Sequence, residues 1–137
     1  MRKYCDSKSK LMKDLYDAYI LDGIDIFNYE ASNQNKITYH HIIKVEDLKL
    51  LEFPTKKTFE NGIALTKIGH SYLHLIEDFA PDIFYHLNQI ILLITKERRL
   101  PTLEERNLIQ IFFEAFEYRM NEYYQINPLY LKRTFVS

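Results

Sequence analysis

Four of the five histidines in this 137-residue chain fall into two tight groups, His40 with His41 and His70 with His74. Neutral imidazole is the commonest protein metal ligand and also a proton acceptor near neutral pH, so the grouping points to metal-assisted chemistry. His70 and His74 are four positions apart in a helical pattern, which projects both rings from one face toward a single ion. His40 and His41 are neighbours in an extended stretch. In a regular strand their side chains point to opposite sides, so one ring can bind the ion while the other works. Three neutral imidazoles leave a coordination position open, as a catalytic site requires and a closed structural site does not. The blander reading, histidines satisfied separately in core or surface, suits His86, which stands alone. It leaves the two groups unexplained.

The elements that must position these side chains are legible in outline. Residues 8–21 place Leu11, Leu15 and Tyr19 at helical intervals and read as an amphipathic helix. Gly23 breaks that pattern, and residues 24–29 read as a strand or an irregular extended segment. After a polar turn cluster, residues 37–43 are rich in β-branched and aromatic side chains and read as a strand that ends or bends near the histidine pair. A variable connection follows to about Lys57, holding Leu48, Leu50, Leu51 and Phe53 before Pro54 and reading as partly buried or as a short helix. Residues 58–62 then read as a short strand and turn leading into a helix from about Ala64 to Phe79.

Pro81 suits the first turn of a helix through Ile94, with Ile83, Phe84, Leu87, Ile90 and Ile91 on its apolar stripe. Thr102 and Glu105 have capping-box spacing and open a further helix with Leu108, Ile109, Phe112, Phe113, Phe116 and Met120 as core or interface. Asn127-Pro128 ends that helix, and the remainder reads as a tail.

In order and spacing, His40-His41, Asn61, His70 and His74 resemble the HNH, or ββα-metal, nucleases, most of all the colicin-type DNases with their H-H, loop, N-x8-H-x3-H pattern. The stretch from Thr58 to Thr66, an Asn followed by apolar residues running toward a helix, is similar too. The resemblance spans about residues 37–78. It implies that His40, His70 and His74 hold one divalent metal ion (Zn, Mg, Mn or Ni), that His41 is the general base, and that Asn61 fixes the orientation of His41. Thr38 stands where the colicin enzymes carry Glu, and the stretch between His41 and Asn61 is longer than theirs. The fold expected is α+β: a small ββα-metal core over residues 37–79, an N-terminal helical segment over 1–36 and two C-terminal helices over 80–137, forming a single domain. Small free-standing domains of this family often belong to phages or other mobile elements.

Composition bounds the partners. The chain is 47% hydrophobic and 27% charged, enough for one real core, and its net charge is −1 with a pI near 6.5. Nucleic-acid binders usually carry a basic excess, so DNA, the expected partner, must be gripped by a local patch and the metal, or be delivered by another protein. Lys44 and Lys67 are candidate phosphate contacts and equally candidates for ordinary solvated lysines, as are Lys56 and Lys57. Lys96, Arg98 and Arg99 sit where cations favour a helix C-terminus.

The N-terminal residues lack the apolar core of a signal peptide, no window has the length of a membrane span, and one cysteine makes no internal disulfide, so the expected compartment is the cytoplasm. A rival class of function is an HNH-like fold used as a binding protein, such as a phage-encoded inhibitor of a bacterial nuclease or defence complex. Near-neutral charge, the altered connection and a surplus of aromatic side chains in the last helices suit it, and the same surplus suits a homodimer. A structural zinc module is a third reading.

Overall fold

Ser9 accepts a hydrogen bond from the Met12 amide and starts α1 (Lys10–Tyr19), which buries Met12, Leu15, Tyr16 and Tyr19 on one face. The computed structural model describes residues 2–6 and 8–125. After α1 the chain reverses through Asp22 and Gly23, both with positive φ. The segment after it is irregular, with isolated bridges from Ile24 to Leu21 and to Glu30 in place of a regular strand.

That irregular segment is wound around Asp25. One oxygen of its fully buried carboxylate accepts from the amides of Phe27 (2.9 Å) and Tyr29 (3.0 Å). The other accepts from the Thr66 amide (3.0 Å) and the Thr66 hydroxyl (2.7 Å). The same Thr66 oxygen accepts from the Gly69 amide at 3.0 Å, so Asp25 holds the residue that starts the histidine-bearing helix. A Cβ on Gly69 would lie 2.5 Å from Asp25 Oδ2, so glycine is what lets the helix approach this closely.

Asp25→Ala strands three backbone N–H groups and a hydroxyl in the interior. At about 1–3 kcal/mol for each unsatisfied buried group, the variant should lose at least ~3 kcal/mol of stability in urea unfolding followed by circular dichroism, and a loss under about 1 kcal/mol would contradict the role given to Asp25. Burial pushes the Asp25 carboxyl up from 3.8 to about 6, against its hydrogen-bond donors. The folded chain therefore binds this proton more tightly than the unfolded chain. The stability tied to it is fully present below pH 3.8 and is lost as pH rises through about 6, so the gap between wild type and variant narrows over that interval.

Two strands form one antiparallel sheet, β1 (Ile37–His41) against β2 (Gly62–Thr66), in a register that pairs Ile37 with Thr66 and His41 with Gly62. The second strand lies later than the sequence pattern placed it. Residues 58–61 form a turn instead, in which the Tyr39 hydroxyl donates to the Thr58 carbonyl (2.7 Å) and accepts from the Thr58 amide (3.0 Å). Ile63, Ala64 and Leu65 are fully buried in the ladder, and a short continuous apolar run of this kind cannot be told from a helix start by periodicity. The helix begins only once Thr66 caps it.

β1 ends at the histidine pair, where the sequence places the end or bend of the strand, and the Ile42 amide adds one further rung to the Asn61 carbonyl before the chain bends away. Between the strands, α2 (Val45–Leu50) is a short helix with Leu48 buried, while Leu50, Leu51 and Phe53 are exposed.

α3 (Lys67–Phe79) follows β2 directly, and α4 (Pro81–Lys96) starts at Pro81 as its sequence position indicated. α5 (Leu103–Tyr124) opens with the full Thr102–Glu105 capping box, and Arg99 adds a two-pronged ion pair to Glu105 at 2.6 and 3.0 Å. α1 packs on β2, α4 on α3, and α5 on α4. One apolar cluster runs from Met12 to Met120, and within it Tyr72 of α3 stacks on Phe113 of α5 at 4.9 Å.

Of the α5 stripe, Ile109, Phe113, Phe116 and Met120 are core, whereas Leu108 faces outward, and Tyr118 and Tyr123 are exposed. α5 ends at Gln125 in a left-handed conformation; the Asn127-Pro128 stop and the tail beyond lie outside the described residues. The architecture is α+β, with five helices and a two-stranded sheet among the described residues, none of those helices being long and apolar enough to cross a membrane.

Candidate metal centre

β1 and α3 bring His40, His70 and His74 together. The ring centroids lie 5.0 Å apart for His40 and His70, 5.4 Å for His40 and His74, and 4.8 Å for His70 and His74. One nitrogen from each ring falls within 4.8 Å of the others, close enough for all three to bind one metal ion. The helix supplies two rings because its positions 70 and 74 share a face. The opposite face carries Tyr72 and Ile76 into the core, with Leu73 buried on the flank, which fixes how the helix is rotated.

The donor set suits a cation. His40 is only 4% exposed, yet neither of its ring nitrogens has a hydrogen-bond partner, and a buried unsatisfied polar atom costs about 1–3 kcal/mol. Burial pushes His40 down to about 3, helped by the neighbouring rings of His70 and His74, and pushes His70 down to about 4, helped by His74 and His41. Both rings are therefore neutral near pH 7 and keep a lone pair for a ligand bond. Around them, the His74 Nδ1 faces a Glu77 carboxylate oxygen at 3.3 Å, and the His70 Nδ1 faces the Thr38 hydroxyl at 3.0 Å.

His41 lines the same cleft, about 450 Å³ in volume, but does not join the trio. Alternation along β1 puts its ring with Tyr39, edge to face at 4.8 Å, and its Nε2 is buried without a partner. Opposite it in the ladder, Gly62 leaves the room that the Tyr39 ring occupies; a Cβ there would sit 2.4 Å from that ring.

Asn61 does not line the cleft. Its side chain accepts from the Ile43 amide (2.8 Å) and donates to the Ile43 carbonyl (3.1 Å), so it clamps the chain two residues beyond His41 and acts on that ring only through the backbone. His86 is remote, exposed and stacked on Phe112.

The cleft is not basic. Glu46, Glu77 and Asp78 line it beside Lys44, and Lys44 pairs with Glu77 at 3.1 Å. Lys67 is exposed and lies outside it. Glu77 did not stand out in the sequence, although its i,i+3 spacing from His74 is the signal that could have found it. No family model, curated protein or solved structure matches the chain.

Proposed function

We propose that the protein is a metal-dependent endonuclease of the HNH type that hydrolyses phosphodiester bonds, with DNA as the leading substrate. The observation that carries the proposal is a fourth imidazole, His41, in the same cleft as three that converge from a strand and a helix, its Nε2 without a partner. His40, His70 and His74 would hold a divalent ion, which when bound would supply positive charge where phosphoryl and leaving oxygens become more negative. Imidazole donors suit Zn²⁺ and Ni²⁺ better than Mg²⁺, and Mn²⁺ lies between.

His41 takes the proton from the attacking water as the general base. Asn61 holds the end of β1 still while this happens, since both its amide atoms are spent on Ile43. Thr66, capped onto Asp25, fixes the start of α3 and with it the two helix-borne ligands.

Metal analysis of the purified protein comes first, followed by nicking of supercoiled plasmid with Zn²⁺, Ni²⁺, Mn²⁺ or Mg²⁺ and with chelator. Metal-dependent conversion to open-circular DNA is expected. No cleavage in any metal would remove the proposal. A second reading, a metal-bearing binding protein directed at a nuclease or defence complex, is favoured by the carboxylates along the cleft and by exposed Leu50 (82%), Leu51 (58%) and Phe53 (57%) nearby in sequence. For that reading the expected result is capture of a host nuclease or defence component by wild type and His41→Ala alike.

A further inference from the structure

We propose that Thr38 sets the tautomer of His70 and thereby aims the Nε2 lone pair of that ring at the metal position; the inference rests on the metal-centre reading. The Thr38 hydroxyl makes two contacts, at 3.0 Å to the Leu65 carbonyl and at 3.0 Å to His70 Nδ1. A carbonyl oxygen can only accept, and a hydroxyl has one hydrogen, so that hydrogen goes to Leu65. The hydroxyl oxygen must then accept from the ring, which places the proton of neutral His70 on Nδ1 and leaves the lone pair on Nε2.

The arrangement is written into the sheet. Thr38 and Leu65 are register partners, so the strand that carries His40 also dictates, through a carbonyl of β2, which nitrogen of His70 is available. A slip of one residue would turn Thr38 to the other face and free the ring to adopt either tautomer. His74 is held differently, by the Glu77 carboxylate, which accepts from Nδ1 and again leaves Nε2 for the ion. Outer partners of this kind fix ring orientation, and their loss weakens metal binding roughly 10- to 100-fold. Thr38 is a positioning residue and touches no reacting atom.

Two readouts test this. Long-range ¹H–¹⁵N spectra of the metal-free wild type should show His70 as the Nδ1–H tautomer, and Thr38→Val should shift it toward Nε2–H or a mixture. Zn²⁺ affinity, measured by competition with a chromophoric chelator at pH 7, should fall roughly 10- to 100-fold in Thr38→Val and return to near wild type in Thr38→Ser. A wild-type His70 protonated on Nε2, or a folded Thr38→Val with unchanged spectrum and affinity, overturns the inference. Failure of the wild type to bind Zn²⁺ overturns the metal centre instead, and the tautomer spectrum then still decides the role of Thr38.

Discussion

Replacing His40 with Leu is expected to abolish binding of divalent metal while leaving the metal-free protein as stable as wild type or more so. The two halves of this result come from one observation. His40 is almost fully buried with both nitrogens unpaired, so in the absence of an ion it is a polar ring in an apolar setting, and a side chain without polar atoms removes that penalty of about 1–3 kcal/mol.

In the presence of an ion the comparison reverses. A ligand that binds only the folded state adds about 4 kcal/mol at a thousand times its dissociation constant, and losing one of three ligands forfeits nearly all of it. Thermal unfolding with excess Zn²⁺ and with chelator checks this directly. For a chain of this size the wild type should rise by on the order of 10 °C with the ion while His40→Leu stays put. A variant that gains as much as wild type would mean the ion sits elsewhere.

The second large effect is on turnover. His41→Ala should lower phosphodiester cleavage roughly 10²- to 10⁴-fold, the usual contribution of a positioned general base, with Zn²⁺ affinity unchanged because His41 lies outside the ligand trio. Nicking rates at equal metal loading, measured beside the affinity, separate this from simple loss of the ion. Cleavage that survives the substitution would leave the proposed nuclease mechanism without its base. Loss of cleavage together with loss of metal would make His41 a ligand.

Parts of this site are visible before any coordinates, and the reason is local periodicity. Two histidines four apart on an amphipathic helix must share a face, and neighbouring histidines in a β-branched run must straddle a strand, so spacing alone gives two ligands and a choice of His40 or His41 for the third, a choice that only the resemblance to the HNH nucleases makes. The capping box of α5 and Pro81 at the first turn of α4 are equally local signals, and both appear as read.

What escaped is long-range or ambiguous in period. Asp25 reads as one acid in an irregular stretch, and its partner Thr66 lies 41 residues away. Ile63-Ala64-Leu65 are apolar without alternation, so strand and helix were indistinguishable there until the ladder with β1 settled it. Thr38 stood out only as the residue in the place of a Glu, and its bond to His70 spans 32 positions. The sequence resemblance gives Asn61 the orientation of His41 but not the route, a side-chain amide bonded to both main-chain groups of Ile43, two residues beyond that ring.

That commitment reaches past the ring it steadies. The Asn61–Ile43 pair, with Tyr39 gripping Thr58 just inside it, ties off the neck of the excursion that contains α2. Beyond it, Lys44 and Glu46 still line the cleft and Lys44 still pairs with Glu77, but the exposed Leu50, Leu51 and Phe53 can be exchanged with little disturbance to the imidazoles. Selection on this chain is therefore free to rewrite that exposed apolar rim while the histidine cluster beneath stays as it is.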